Sequence, residues 1–178
     1  ELAYDGRVVP STLAYVEQAI ICTSWSKSLS LPGERIGCLA VSPRCDDYER
    51  LIQAAAYCNR VLGYVNAPAL FQRVIEQTVE ARVDISLYER RRDMLVDIMR
   101  RAGFSVDAPE GGLYLFPRTP VGDDTAFADT CARHRVLLVP GSGFFFPGHV
   151  RLCFAASEAC IRNSAPAFQA IGREYGLN

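Results

Sequence analysis

The chain carries, at residues 24–37, the stretch Ser24-Trp25-Ser26-Lys27-Ser28-Leu29-Ser30-Leu31-Pro32-Gly33-Glu34-Arg35-Ile36-Gly37. Lys27 is the single lysine among the 19 lysine and arginine residues of the sequence. An arginine guanidinium stays protonated and forms no imine with an aldehyde, whereas a lysine amine does so once burial and neighbouring charge lower its pKa. The stretch therefore indicates Schiff-base chemistry at Lys27.

Apolar runs flank this stretch on both sides. Residues 18–23 predict a short buried strand that leads into it, and residues 36–41 predict a second strand that leaves it. Gly33 and Gly37 would allow the backbone to turn tightly between the strands. We therefore expect Lys27 to lie on a loop between two strands.

The same loop offers the donors that a phosphate requires. Ser24 and Ser26 supply hydroxyl groups, and Arg35 supplies a planar guanidinium that suits a dianionic phosphate. No Gly-x-x-x-x-Gly-Lys precedes a helix here, so the pattern is not that of a nucleotide-binding P-loop. The alternative is an exposed loop lysine beside serines that only cap or turn the chain. The complete string from strand to strand favours a site for a phosphorylated aldehyde.

The remainder of the chain alternates between helical and strand patterns. Helical spacing begins after Asp46 or Asp47, resumes after Pro68, and then predicts a long helix from Asp84 to Arg101. The basic run in this long helix, Glu89-Arg90-Arg91-Arg92, is most simply a solvated face. The later predicted strands are 104–106, 113–116, 136–139 and 150–155, and the later predicted helices are about 123–134 and 157–175. This alternation predicts an α/β protein with a lobe boundary inside or just before the long helix.

Composition and charge narrow the function classes. Apolar residues make up 49% and charged residues 22% of the 178 residues, values typical of a globular protein with its own core. The net charge of −1 and the pI of about 6.2 give no electrostatic reason to expect nucleic acid or an anionic membrane as a partner. No apolar run approaches the roughly 20 residues that a membrane-spanning helix needs.

The seven cysteines are odd in number and scattered, and they contain no Cys-x-x-Cys pair. Most lie in apolar stretches, where a free thiol behaves as a small hydrophobic group. We therefore expect a reduced, cytoplasmic protein. Because only His134 and His149 would add nitrogen ligands, we expect no metal site and interpret both histidines as structural or surface residues.

Arg151 lies inside an apolar strand and alternates with Val150 and Leu152, so it points to the face opposite both of them. A buried arginine requires an anion, and a carboxylate that accepts two hydrogen bonds is the natural one. The alternative is an edge-strand arginine that points to solvent or pairs with an internal Asp or Glu. Together with Lys27, the pattern favours ligand binding.

The stretch from Ser24 to Gly37 resembles the cofactor-attachment motif of the pyridoxal-phosphate-dependent class I/II aminotransferases of fold type I. By this resemblance Lys27 would carry pyridoxal 5'-phosphate as an imine, and Ser24 and Arg35 would bind its phosphate. Ser26 is a further candidate for cofactor binding because of its hydroxyl group alone. Trp25 departs from the family, in which Tyr or Phe is more usual at this position. The resemblance implies a homodimeric transaminase that acts on an amino acid and a 2-oxo acid.

The resemblance extends along nearly all of the chain. Asn66-Ala67-Pro68 resembles a segment that reaches toward the partner subunit's active site, and this makes Asn66 a candidate substrate-binding residue. Gly111-Gly112-Leu113-Tyr114-Leu115-Phe116 resembles the small-domain strand whose glycines let substrate pass close. The segments Pro140-Gly141-Ser142-Gly143-Phe144 and His149-Val150-Arg151-Leu152-Cys153-Phe154-Ala155 resemble the final family signature, in which Arg151 would bind the substrate α-carboxylate.

The implied fold is α/β: the end of a fold-type-I large domain with a mostly parallel sheet at residues 1–90, then a small α+β C-terminal domain at residues 91–178. The family's pyridine-binding aspartate would precede Glu1, because Asp5 falls in a later Tyr-Asp-Gly stretch. We therefore expect the C-terminal portion of such an enzyme, with little or no activity alone. Two alternatives stay open. One is another fold-type-I enzyme with the same cofactor, such as a β-lyase, decarboxylase or synthase. The other is a non-catalytic aminotransferase-like module for effector binding or dimerisation.

Overall fold

The computed structural model of the protein describes residues 2–177. The chain forms two compact units, one made of Val8–Val83 and the other of Leu2–Arg7 together with the residues from Asp84 onward. The division therefore falls before the predicted boundary between residues 90 and 91. The reason is local: Asp84 caps a single uninterrupted helix, so the chain leaves the first unit where that helix begins. Glu1 and Asn178, which the predicted domain ranges include, lie outside the described residues.

The first unit begins with a 3₁₀ turn and contains two strands and three helices. In chain order these are the 3₁₀ turn Thr12–Ala14, β1 (Ile20–Ser24), α1 (Trp25–Ser28), β2 (Gly37–Val41), α2 (Tyr48–Val61) and α3 (Ala69–Thr78). Both predicted strands are present. They pair antiparallel, with a register that runs from Ile20 opposite Val41 to Ser24 opposite Gly37. The parallel pairing expected for most of the large-domain sheet is thus not found between these two strands, because their short connection contains only one helical turn and cannot form a crossover.

Apolar side chains on the first unit are largely exposed. Buried apolar residues within Val8–Val83 are Ile36, Val41, Cys45 and Ile75. On the strands themselves, Ile20 is 50% exposed and Leu39 is 45% exposed. Five of the seven cysteines are also exposed, which differs from the apolar surroundings that the sequence suggested; only Cys45 and Cys131 are buried.

The second unit packs helices on a small antiparallel sheet. Its elements are α4 (Ile85–Arg101), β3 (Tyr114–Leu115), α5 (Asp124–Arg133), β4 (Val139–Pro140), β5 (Val150–Cys153), α6 (Glu158–Asn163) and α7 (Ala165–Glu174). The sheet has the order β3-β5-β4, so β5 lies between its two neighbours. Helix α4 packs against α6 and α7. Phe104 joins these helices in the core, with its ring 6.1 Å from that of Phe127 and 6.2 Å from that of Phe168.

Three predicted elements of this unit differ from the structure. The strand predicted at 136–139 begins only at Val139, as β4 (Val139–Pro140). Residues 104–106 form no strand, although Phe104 and Val106 are buried. The apolar residues of this segment therefore reflect its burial and not a strand. The helix predicted over residues 157–175 is divided at Ser164 into α6 and α7. Pro166 explains the division, because it lacks the N–H that would continue the hydrogen bonding of α6.

The segment Leu2–Arg7 is built into the second unit. Tyr4 is completely buried, its hydroxyl donates a hydrogen bond to the Gly112 carbonyl, and its backbone N–H donates to the Glu110 carbonyl at 3.0 Å. The Gly112 N–H in turn donates to the Leu2 carbonyl at 2.9 Å. Burial raises the pKa of Tyr4 to about 12. The segment is therefore held by contacts with residues distant in sequence.

The basic run of α4 is not simply a solvated face. Arg92 is buried, and its two terminal nitrogens donate to the two carboxylate oxygens of Asp5 at 2.9 and 3.0 Å. Its guanidinium carbon also lies 4.9 Å from the centre of the Tyr4 ring. The hydrogen bond from Arg92 holds the pKa of Asp5 below its usual value. Arg92 thus joins α4 to the Leu2–Arg7 segment.

Replacing Arg92 with methionine is expected to destabilise the second unit by about 2 kcal/mol, because the hydrogen bonds to Asp5, Asp93 and the Pro109 carbonyl are lost while the packing of the stem is kept. The expected loss of stability is modest because the Asp5 side chain is 58% exposed and solvent weakens the Arg92–Asp5 ion pair. Urea unfolding would measure the change. Arg101→Met is the matched control, since the Arg101 side chain is 75% exposed and, among residues 2–177, pairs only with Asp97 on the same helix. If the two substitutions lowered the stability equally, Arg92 would not be the residue that joins α4 to the Leu2–Arg7 segment.

Among the described residues, none of the helices combines the length and the apolar character that crossing a membrane requires.

Candidate functional site

The end of the β1–β2 pair is closely packed around Gly37. Ser24 lies opposite Gly37 in the register. A Cβ on Gly37 would lie 2.5 Å from the Thr23 carbonyl oxygen and 3.2 Å from the Ser24 Cα. Only glycine fits this approach, so the two strands lie close together at the point where the lysine-bearing connection begins and ends.

Ser24 is also the N-cap of α1. Its Oγ accepts a hydrogen bond from the Ser26 backbone N–H at 3.4 Å. The Ser24 hydroxyl proton therefore stays available for donation to another acceptor. The side chain of Ser24 is exposed and that of Ser26 is half-buried.

Lys27 lies on the helical turn α1, whereas the sequence predicted a loop. The Trp25 N–H donates to the Ile36 carbonyl at 3.2 Å, so the start of the turn is tied to the strand that leaves the connection. Lys27 is exposed, and the burial that the sequence argument expected is not supplied by residues 2–177. The amine is thus presented on an anchored turn at one end of the strand pair.

Arg35 precedes β2 and adopts a left-handed backbone with φ of 52°, which is uncommon for a residue other than glycine. One terminal nitrogen of its guanidinium donates to the Pro32 carbonyl at 2.7 Å. Within the described part of the chain, the other guanidinium donors have no acceptor. Arg35 is exposed, so its free donors can reach an anion.

The predicted cofactor residues Ser24, Ser26, Lys27 and Arg35 therefore all lie at one end of the β1–β2 pair or in its short connection. Together they offer two hydroxyls, one amine and one guanidinium. This donor set matches a phosphorylated aldehyde, because the amine can form an imine while the hydroxyls and guanidinium bind the phosphate. The close approach at Gly37 keeps the two halves of the set together.

Asn66 lies between α2 and α3 and is exposed. It follows Val65, a branched residue at a φ of 57°. The Val65 N–H donates to the Asn59 carbonyl at 3.1 Å and fixes this turn. Asn66 itself makes no hydrogen bond within residues 2–177. No hydrogen bond within residues 2–177 therefore connects Asn66 to α1, the turn that carries Lys27.

Arg151 is in the middle strand of the second unit. Val150 and Leu152 are 1% and 4% exposed, whereas Arg151 is half-buried on the opposite face. Its guanidinium carbon lies 4.6 Å from the centre of the Tyr114 ring and 4.5 Å from that of the Phe144 ring. No carboxylate in the described residues pairs with Arg151. The internal ion pair considered as an alternative is therefore not found there.

Sequence reasoning missed the residue that anchors the loop beside Arg151. Asp124 is buried at the start of α5, and one of its carboxylate oxygens accepts from the Ser142 N–H at 2.8 Å and the Gly148 N–H at 3.2 Å. Burial raises the pKa of Asp124, but these hydrogen bonds outweigh it and the net pKa is lowered. The one sequence signal at this position is the Asp123-Asp124 pair, which predicts the start of a helix but not the contact with the loop.

The lowered pKa of Asp124 predicts a pH dependence. A carboxyl whose pKa is lower in the folded protein stabilises it above the unfolded pKa of about 3.9, and this contribution is lost as the pH falls through the folded value. Asp124→Asn should therefore lower the melting temperature at pH 7, and its difference from the unmodified protein should shrink below about pH 4. Asp129→Asn, on the exposed side of α5, is the control. A difference that does not change with pH would contradict the role of the carboxylate.

Comparison with known proteins gives consistent results. The sequence model for aminotransferase class I and II matches residues 3–167. An aspartate aminotransferase of Thermotoga maritima is 30% identical over 142 residues, covering 79% of this chain and 36% of that protein. A probable N-acetyl-LL-diaminopimelate aminotransferase of Bacillus subtilis is 32% identical over 168 residues, covering 91% of this chain and 42% of that protein.

Solved structures show the same likeness. The crystal structure of an amino transferase from Eubacterium rectale superposes with a TM-score of 0.93 at 38% identity, covering 98% of this chain and 44% of that one. A Thermus thermophilus aspartate aminotransferase variant superposes with a TM-score of 0.81 and covers 96% of this chain, which at 24% identity shows the fold alone. The predicted fold class is confirmed. The chain spans about two fifths of the length of the relatives it matches.

Proposed function

This chain belongs to the class I and II aminotransferase family, whose members depend on pyridoxal 5'-phosphate, and from this premise we propose that it carries the cofactor lysine and the carboxylate-binding arginine of a transaminase. The reaction moves an amino group between an amino acid and a 2-oxo acid. The observation that carries the proposal is the grouping of Ser24, Ser26, Lys27 and Arg35 around the end of the β1–β2 pair.

The phosphate-binding role falls to Ser24, Ser26 and Arg35. The Ser24 hydroxyl keeps its proton for donation, since its oxygen only accepts from the Ser26 N–H. Arg35 is steadied by its bond to the Pro32 carbonyl and keeps its remaining donors for the phosphate. Hydrogen bonds to a charged group contribute roughly 1.5–3 kcal/mol each, so these residues would hold the phosphate independently of the Lys27 amine.

Lys27 has two roles in this proposal. Pyridoxal 5'-phosphate, when bound, supplies the aldehyde for a Schiff base and a ring that draws electrons from the substrate α-carbon. The Lys27 amine would hold the cofactor through its aldehyde in the resting protein. Once a substrate amine takes that place, the freed Lys27 amine would accept the proton from the substrate α-carbon and act as the proton carrier of the reaction.

Arg151 orients the substrate. Its guanidinium donors bind the α-carboxylate, which in turn directs the bond to be broken at the α-carbon. Asn66 would be a further substrate-side contact at the edge of the partner subunit's site. We therefore also propose a homodimer.

We propose that residues 1–178 alone have little transaminase activity, because the relatives they match are more than twice as long. The seven free thiols support a reducing compartment such as the cytoplasm.

The test uses the intact protein supplied with pyridoxal phosphate and a panel of amino acids. A visible absorbance band that shifts on adding an amino acid, with one equivalent of the matching 2-oxo acid formed, would support transamination. Carbon dioxide, or an oxo acid shortened by loss of a side-chain group, would instead support a decarboxylase or a β-lyase. Absence of any band in the intact protein would contradict both, and would favour a non-catalytic module.

A further inference from the structure

The Arg151 guanidinium is held by rings and not by an acceptor. Its carbon lies 4.6 Å from the centre of the Tyr114 ring and 4.5 Å from that of the Phe144 ring. Among residues 2–177 no group accepts a hydrogen bond from it. A half-buried cation with two aromatic contacts and no acceptor is an unusual environment for an arginine side chain.

The sheet places the two rings on either side of β5. Tyr114 on β3 lies opposite Cys153, so Arg151, two residues earlier on β5, is its diagonal neighbour. Val139 on β4 lies opposite Arg151, and Phe144 ends the 3₁₀ turn Gly141–Phe144 that follows β4. One ring therefore approaches Arg151 from the neighbouring strand β3, and the other approaches from the turn that follows the neighbouring strand β4.

Rings and carboxylates stabilise a guanidinium in different ways. A ring attracts the cation through its quadrupole and takes none of the five N–H donors. A carboxylate would neutralise the charge and occupy the donors. Arg151 therefore keeps both its charge and its donors for an external planar anion, while its position is limited by Tyr114 and Phe144.

The position of Phe144 is itself fixed by the surrounding loop. The Phe116 ring meets the Phe144 ring edge-on at 6.3 Å and stacks on His149 at 5.5 Å with an interplanar angle of 11°. At the start of the 3₁₀ turn, a Cβ on Gly141 would lie 2.3 Å from the Phe146 carbonyl oxygen, so the loop closes tightly on itself. Asp124 binds the same loop at both ends, as described above.

We propose that Tyr114 and Phe144 are positioning residues that hold the Arg151 guanidinium by cation–π contact and thereby set its affinity for the substrate α-carboxylate. The proposal rests on the proposed function of Arg151 as the carboxylate-binding residue.

The experiment compares ring-removing and ring-keeping variants in the intact, cofactor-loaded protein. Tyr114→Leu and Phe144→Leu should each raise KM for the amino acid roughly three- to tenfold, with kcat changed much less, because the lost contact orients the bound carboxylate throughout the reaction. Tyr114→Phe and Phe144→Tyr keep a ring and should stay within about twofold of the unmodified protein. Phe145→Leu is the matched control, because the Phe145 ring is 97% exposed and contacts no other ring in the described residues.

A second readout separates positioning from general damage. A primary amine without a carboxylate does not use Arg151, so its rate of reaction with the cofactor should be the same in all five variants. Unequal rates with this amine, or unchanged KM values for the amino acid in both leucine variants, would overturn the proposal. Arg151→Lys is measured alongside. If it raises KM and the leucine variants do not, the positioning role fails while the proposed function of Arg151 stands. If Arg151→Lys leaves KM unchanged, the proposed function of Arg151 fails with it.

Discussion

Lys27→Arg in the intact protein is expected to reduce transaminase turnover by at least about 10²- to 10⁴-fold, the typical contribution of a positioned acid–base group. The substitution keeps the positive charge but removes the ability to form an imine or to accept a proton near neutral pH. The Lys27 side chain is exposed on α1 and makes no hydrogen bond within the described residues, so an arginine fits without disturbing the turn. Steady-state transamination and the cofactor absorbance band would be measured together.

Chemical trapping makes this prediction specific. Borohydride reduction of the loaded protein should fix the cofactor to one peptide of this chain, because Lys27 is its single lysine. Mass spectrometry of Lys27→Arg should show no adduct in the same peptide. Turnover that survives in Lys27→Arg, or an adduct that remains on that peptide, would remove Lys27 from the proposed chemistry.

The second large effect is expected for Arg151→Gln, which should raise KM for the amino acid about 100-fold, with a smaller change in kcat. The substitution removes a charged, paired set of hydrogen bonds whose loss costs about 3 kcal/mol. Glutamine keeps a side chain with a polar end on the same face of β5, and the buried neighbours Val150 and Leu152 are unchanged. Initial-rate kinetics over a wide substrate range would test the prediction.

Arg162→Gln provides the matched control. Arg162 is an exposed arginine on α6 whose side chain makes no hydrogen bond or ion pair within residues 2–177. Its replacement should leave KM unchanged, and it removes the same charge from the second unit. If the two substitutions raised KM equally, the effect would come from net charge and not from a carboxylate site at Arg151.

Local sequence signals predicted most of the fold. The helix that begins after Asp84 is present at Ile85–Arg101, since an N-cap and a 3.6-residue apolar period specify it without distant contacts. The strands on both sides of Lys27 are also present, because each is a short apolar run that ends at a turn. The strand expected at 104–106 was wrong, because a buried loop has the same apolar composition as a buried strand.

The candidate site was predictable only where it is local in sequence. Ser24, Lys27 and Arg35 share one connection, so their proximity follows from the chain itself. The contact of Tyr114 and Phe144 with Arg151 depends on cross-strand register and on a loop closed by Asp124. A single sequence does not specify register between strands so distant in sequence. The pairing of Arg92 with Asp5 was not predictable either, because the two residues are 87 positions apart in the sequence.

The incorporation of Leu2–Arg7 into the second unit has a consequence for biosynthesis. Tyr4 and its partner Gly112 are 108 residues apart, and all of Val8–Val83 lies between them and forms the other unit. At a ribosomal rate of about 5–20 residues per second, Tyr4 waits roughly 5–20 s for the backbone that buries it. During that interval an aromatic side chain destined for complete burial is available to chaperones and to other nascent chains. The second unit therefore closes only after the whole of Val8–Val83 and the residues around Gly112 have been synthesised.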